Sequence, residues 1–411
     1  MRRPVKQSTQ KFSADSQRLT ALSQALEQAS SRIEQRGWEL QLDALATKVL
    51  GAKQQNTLDA ALEHLFNSDI QAYDVLVEAI ENASESCIID DQGMLCNALL
   101  IAFPVLAWTR FSIASGNLPA DVQANLFAQL HGHILAAGAR IALSPTLYAI
   151  DQLPRDHVEV HALTRRMAQA ALTEGLPKAA SKPLPTAPFM ADTRYLLACV
   201  VAPCGAPLLR WQEAAPVDIA ASKADVLTQW SQQAGPSLSQ ILPGCNLEFL
   251  FPAAYFSACR EADKKIRKAS IHAANHYLIH NLNVDSKDLH ANIGGFSEDG
   301  PEGRVDEYRI GFSVGGGDIV YGVVWPLYGQ EDAEAEPSPM TPGGMPTEPT
   351  PLEEILGALR ENGIVHVRQH AGCFEMEVCE DCGAPFFPDE EGILVHAEMP
   401  EDMPVVPGHL H

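Results

Sequence analysis

Leu289-His-Ala-Asn-Ile293, Tyr308-Arg-Ile-Gly-Phe312 and Ile319-Val-Tyr-Gly-Val-Val-Trp325 are three short apolar runs that follow one another across Gly-rich turns. Successive runs of this kind, joined by short turns, read as neighbouring antiparallel strands. The segment before them, from about Tyr255 to Leu282, keeps helical periodicity. A sheet of sequential strands with helices on one face is an α+β arrangement. The chain is therefore expected to have a helical N-terminal region, a central antiparallel sheet with helices, and a small zinc-binding C-terminal module.

Working outward, residues 1–174 read as all-helical. Leu19, Leu22, Leu26, Ala29 and Ile33 recur at spacings of three and four, as do Val122, Leu126, Leu130 and Ile134, which places each set on one helix face. The longest apolar stretch, Leu95 to Trp108, is broken by Asn97 and Pro104 and is too short to cross a bilayer. It reads as a buried helix. Residues 175–190 form a Pro-rich linker, and 191–329 an α+β domain that begins with a strand run at Tyr195 to Val201. Residues 330–351 are an acidic Pro/Gly-rich linker without the apolar residues that offset the entropy of ordering. Residues 352–411 are expected to be a zinc-ribbon-like module: a helix, Leu352 to Glu361, then an alternating strand, Phe374 to Val378, that runs into Cys379.

The chain has 411 residues, 46% of them hydrophobic, ample for two or three packed cores. Its start is basic and polar with no apolar signal core, and its nine cysteines are mostly isolated in apolar runs, so a reducing, cytoplasmic setting is expected. The formal charge of -23 is uneven, because 18 acidic residues stand against Arg360 and Arg368 alone from Glu331 onward. Such a field repels phosphate backbones, which argues against nucleic acid as a partner and for a protein or small-molecule ligand. Oligomeric state is not legible.

The chemistry concentrates in Cys379-Glu-Asp-Cys382-Gly383, followed by Ala-Pro-Phe-Phe-Pro and His396. A Cys-x-x-Cys turn brings two thiolates to one tetrahedral ion, and Zn2+ takes sulfur and imidazole ligands, usually four in a structural site. His396 returns on the next strand after a turn at Glu391-Gly392. For the fourth ligand His409 and His411 are preferred over Cys373 and His370, since an alternating strand points Cys373 away. A redox dithiol would open a helix after the motif, and Pro385 and Pro388 forbid one. His396-Ala-Glu398 with Cys379 and Cys382 has the residue types of zinc deaminases, which makes Glu398 a catalytic candidate, but the order is reversed.

Two other patterns carry chemistry. Gly311-Phe312-Ser313-Val314-Gly315 matches the nucleophile elbow and nominates Ser313, although a Gly-rich hairpin explains it as well. Lys264, Lys268, His272, His276 and His280 recur every four residues along the long helix, which fits an anion or metal surface. A solvated stripe against which the acidic terminal segment docks explains the same pattern.

The run from Cys379 to Pro388, with Val395-His-Ala-Glu-Met-Pro and the closing Pro407-Gly-His-Leu-His, resembles the C-terminal signature of an uncharacterised proteobacterial family of unknown function. That resemblance implies a bacterial protein whose terminal cysteines and histidines act together, and no activity. A zinc-stabilised binding protein is the expected function. The alternatives are a hydrolase, metal-dependent or using Ser313, and a metal sensor or carrier.

Overall fold

The computed structural model describes residues 12–109, 112–154, 156–173, 190–213, 219–298, 300–328, 331 and 349–399. Both expected linkers lie almost wholly outside these residues, and so do His409 and His411. The chain opens with α1 (Ala14–Glu27), α2 (Arg32–Gly51), α3 (Gln55–Ser68) and α4 (Ile70–Glu85). Their shared core includes Leu19, Leu42, Leu58, Leu65, Leu76 and Ile80. Ser31 caps α2 by accepting from the Glu34 amide, so the expected continuous face from Leu19 to Ile33 is cut in two and Ile33 is exposed.

The expectation of helices throughout residues 1–174 is corrected by the next elements. β1 (Ser86–Asp91), β2 (Met94–Trp108), β3 (Gly116–Asn117) and β4 (Arg140–Ala149) are strands, interleaved with α5 (Ala120–His133) and followed by α6 (His157–Leu172). β5 (Ala191–Pro203), α7 (Ile219–Ile241), β6 (Asn246–Phe249) and β7 (Ala253–Ala254) complete a seven-stranded sheet of order β1-β2-β5-β4-β3, with β6 and β7 also on β2. Leu95 to Trp108 is therefore a strand, not a helix. Helices cover both faces of the sheet, so both sets of alternating β2 side chains are apolar. Phe103 and Val105 join the core with α5 and α7, while Leu100 and Leu106 join the core with α6. Such a doubly buried strand gives a continuous apolar run, which periodicity cannot separate from a buried helix. Pro104 lies between the stretches paired with β7 and β6, where the ladder on that edge is interrupted. Because β5 pairs with β2 and β4, residues 175–190 join two parts of one sheet.

A second sheet follows α8 (Tyr255–Leu282). β8 (Leu289–Ser297), β9 (Glu307–Val314) and β10 (Ile319–Pro326) are the three antiparallel strands expected from the sequence. After α9 (Pro351–Glu361), β11 (His366–Glu375) adds in parallel to β8, giving the order β10-β9-β8-β11. α8 and α9 cover one face through Ile271, Ala274, Leu278, Ile355 and Leu359. The segment expected as a terminal module thus shares the core of this sheet. Among the described residues no helix is long and apolar enough to cross a membrane.

α8 begins at Ala254, which supplies no side-chain cap. Glu85, at the end of α4, takes that place, its Oε2 accepting from the Phe256 amide at 2.9 Å. Burial pushes the Glu85 carboxyl up to about 7, against the opposing pull of that amide. A carboxyl whose folded pKa exceeds its ordinary 4.5 binds its proton more tightly when folded, so its contribution to stability falls as pH rises from 4.5 to about 7. Glu85→Gln keeps an acceptor for Phe256 and removes the titration. It is expected to stabilise the protein at pH 8 by about 1–3 kcal/mol and to flatten the dependence of Tm on pH below 7. Thermal melts across that range check this, and an unchanged slope refutes it.

Candidate metal centre

Two short strands, β12 (Phe386–Pro388) and β13 (Leu394–His396), form a hairpin in which Phe386 pairs with His396. Its turn is held by Asp389, whose carboxylate accepts from the Glu391 and Ile393 amides, with Gly392 at φ +84°. Just before β12 the chain makes the Cys-x-x-Cys turn. Val378 bridges to Pro385, the Cys379 amide donates to Ala384 O at 2.8 Å, and the Gly383 amide donates to Cys379 O at 2.8 Å. Gly383 sits at φ +75°, a conformation that disfavours other residues.

The turn aims its amides at sulfur. The Cys379 thiol is held below its ordinary range first by the Cys382 backbone N–H, then by that of Asp381 and by the Cys382 side chain. Metal binding needs the thiolate, so these amides favour the ligating form. Cys382 Sγ lies 3.2 Å from His396 Nε2, and one ligand atom from each of Cys379, Cys382 and His396 falls within 4.8 Å of the others. Among the described residues this is the one such group that could hold a metal ion. His396 Nδ1 lies 3.4 Å from Glu398 Oε1, a contact that favours the ring orientation with Nε2 toward Cys382. Glu398 therefore stands behind the imidazole, and its amide donates to Ile319 O on β10 at 3.0 Å.

Arg309 of β9 fixes this turn to the sheet. Its side chain is 2% exposed, with Nε donating to Glu307 Oε1 at 2.6 Å and the guanidinium carbon 4.2 Å from the centre of the Phe296 ring. Nη1 donates to Glu377 O at 2.7 Å and to Phe386 O at 2.9 Å. Those carbonyls belong to the two chain segments that enter and leave the Cys-x-x-Cys turn. One planar, permanently charged fork thus holds both.

Glycines provide the seat. Gly322 and Gly311 face each other across β10 and β9, and Gly294 lies on β8. A Cβ at Gly322 would overlap the Phe387 ring, one at Gly311 would stand 3.0 Å from Pro388 O, and one at Gly294 would stand 2.7 Å from Phe374. The hairpin therefore rests where these strands carry no side chains. Mid-strand glycines signal close approach of another segment, and that signal, together with Phe386-Phe387-Pro388, was readable in the sequence. The role of Arg309 was not, since nothing marks one arginine in a strand.

The other sequence candidates are placed as follows. His370 Nε2 pairs with Asp389 O at 2.8 Å, bracing the hairpin turn, and neither it nor Cys373 joins the metal group. Ser313 lies within β9, opposite Ile319 and His290, and a strand rather than a helix follows its turn. Its Oγ is buried and bonds no described residue, His290 included, which bonds Glu390 instead at 2.8 Å. The nucleophile-elbow reading is corrected: Gly311 is part of the hairpin's seat. On α8, Lys264 and Arg267 pair with Glu331 at 3.0 and 2.7 Å, and Lys268 pairs with Glu361 at 2.7 Å. Glu331 and Glu361 thus lie against the basic helix, and the apolar contacts of Ile355 and Leu359 hold α9 there as well. His272 Nδ1 pairs with Asn362 Oδ1 at 2.9 Å, while His276 and His280 stack with ring centres 4.1 Å apart.

A model of the family described as a protein of unknown function (DUF2863) matches residues 4–410, so the chain is a member of that family. No curated protein and no solved structure matches it.

Gly322→Ala is expected to destabilise the protein by about 1–3 kcal/mol, because the added methyl overpacks against Phe387. Combining it with Phe387→Leu should recover part of the loss. A double-mutant cycle by denaturant unfolding measures the coupling, and additive effects would exclude the proposed contact.

Proposed function

We propose that Cys379, Cys382 and His396 hold a structural Zn2+, that His409 or His411 supplies the fourth ligand, and that the protein works by binding rather than by catalysis. The observation that carries this reading is the turn itself, with backbone amides directed at the Cys379 sulfur and an imidazole nitrogen 3.2 Å from the Cys382 sulfur. Two sulfurs and an imidazole suit zinc better than a hard, oxygen-seeking cation. The ion would join the Cys-x-x-Cys turn to β13 across the hairpin, closing a segment that has few apolar anchors of its own.

A hydrolase would use its ion differently. Catalytic zinc keeps an open position in a pocket that also holds substrate. Two clefts of the described structure, of about 930 and 810 Å3, are lined by other residues than Cys379, Cys382 and His396. That favours the structural role.

Elemental analysis of the purified full-length protein is expected to give one zinc per chain. Cys379→Ser and Cys382→Ser should each abolish retention through dialysis, while Arg309→Lys, which loses the fork but keeps a charge, should weaken zinc affinity about tenfold. Chelation should accelerate amide exchange over residues 377–398 and leave β8 and β9 protected, since their core is apolar. Metal-free protein, or zinc retained by Cys382→Ser, would overturn the assignment.

A further inference from the structure

A cleft of about 930 Å3 lies away from the candidate metal centre, between α8 and the rim of the seven-stranded sheet. Its lining comes from three places: Lys265, Lys268, His272, His276 and His280 from α8; Trp108, Asn246 and Glu248 from the sheet; Glu361 and Asn362 from the end of α9. A volume of this size suits a small molecule. The polar groups are of two kinds, and together they say what the molecule must carry.

On the α8 side the groups suit an anion. Among the described residues Lys265 pairs with Glu261 at 3.9 Å, one turn away on the same exposed surface, a pairing of little strength. His280 Nδ1 bonds His276 O at 2.9 Å, which leaves Nε2 as the ring atom open to a ligand. An imidazole that takes up a proton becomes a second donor, so an anion held here draws protons onto this stacked pair. Lys268 is already occupied by Glu361, and His272 by Asn362, so these two close the α9 end rather than bind.

The other groups call for a donor. Asn275, also in the lining, is 8% exposed; its Nδ2 is turned to Asn362, while its Oδ1 accepts from no described residue. A buried carbonyl oxygen left without a donor costs about 1–3 kcal/mol, which a ligand N–H or O–H would remove. Glu248 adds an exposed carboxylate on the sheet side, and Trp108 an aromatic surface. With cationic groups and an open acceptor on α8 and a carboxylate facing them from the sheet, the cleft matches a molecule with both kinds of group.

We propose that this cleft binds a small zwitterion whose carboxylate or phosphate meets Lys265, His276 and His280 and whose ammonium meets Asn275 Oδ1 and Glu248. The proposal extends the binding-protein reading by locating the ligand, and it shares no residue with the zinc site. Zinc content is measured on the same samples, so failure of one reading is distinguishable from failure of the other.

The experiment is calorimetric titration of the full-length protein with glutamate and with O-phosphoserine, and with succinate and inorganic phosphate as controls that lack the ammonium. Saturable binding of at least one zwitterion, tighter than its control, is expected, and which of the two binds distinguishes carboxylate from phosphate. Affinity should be higher at pH 6 than at pH 8, the other titratable groups facing the pair being Lys265, Lys268, His272, Glu248 and Glu361. His276→Ala/His280→Ala should weaken binding about tenfold, equal to 1.4 kcal/mol. Glu248→Gln should reduce the preference over the ammonium-free control. Circular dichroism confirms that each variant is folded. No saturable heat from either zwitterion up to about 10 mM, well above a millimolar Kd, overturns the proposal. Equal affinity in wild type and the histidine variant overturns it as well, as does equal affinity for zwitterion and control.

Discussion

One helix serves two hydrophobic cores, and the arrangement of everything else follows from it. The first half of α8 buries Tyr255, Ala258 and Ala262 against the seven-stranded sheet, and the second half buries Ile271, Ala274 and Leu278 against the four-stranded one. Its 28 residues form a rod whose ends are both fixed, by Glu85 at the start and by Asn283 in the left-handed conformation, φ 53° and ψ 46°, at the end. Between the halves, Arg267 is 5% exposed and reaches Pro326 O and Glu331, with its guanidinium carbon 5.0 Å from the centre of the Trp325 ring. A buried arginine at the changeover point must keep these partners, because an unpaired charge there is costly. The two sheets are thereby held at a defined offset along α8, and the large cleft is the space that offset leaves.

The candidate metal centre depends on a different constraint, the removal of side chains. A hairpin of two three-residue strands has too little apolar surface to be stable alone. It is fixed by insertion of Phe387 and Pro388 over Gly294, Gly311 and Gly322, and by the Arg309 fork on Glu377 O and Phe386 O. Both fixings come from the four-stranded sheet, so the positions of Cys379, Cys382 and His396 are set by strands far earlier in the chain. The sheet's rigidity is passed to the ligands through backbone contacts, which tolerate little change.

Where a residue's local pattern and its environment agreed, the sequence was legible. α8 was read at its ends because its periodicity is long and uninterrupted, and β8, β9 and β10 because each has one apolar face and a glycine turn beside it. β2 was misread because helices on both faces make its pattern continuous, so the alternation that distinguishes a strand is absent. β11 was placed too late, at Phe374 to Val378, because its pairing with β8 is mostly exposed and leaves a weak pattern from His366 onward. At the site, the gathering of Cys379, Cys382 and His396 followed from spacing alone. Arg309 did not, since it acts across the fold on carbonyls many residues away, and neither did the contact of Glu398 with His396, since a pair two residues apart in sequence does not fix how the side chains turn.

The position of the metal group then has a physical reason. β11 is an edge strand that joins the sheet in parallel, with an irregular register between Gln369 and Cys373 and mostly exposed or half-buried side chains. Edge strands and the segments that follow them lack the packing that fixes central strands. The hairpin after β11 covers the face of the sheet opposite α8 and α9, where Phe387 is its one large buried apolar side chain. Apolar burial therefore cannot hold this segment as it holds the α8 side. Hydrogen bonds with the side chains of Arg309, His370 and Asp389 fix its backbone, and Cys379, Cys382 and His396 gather at its open end. Polar restraints appear here because the apolar burial lies on the other face, and the separation leaves the α8 side free to form the cleft.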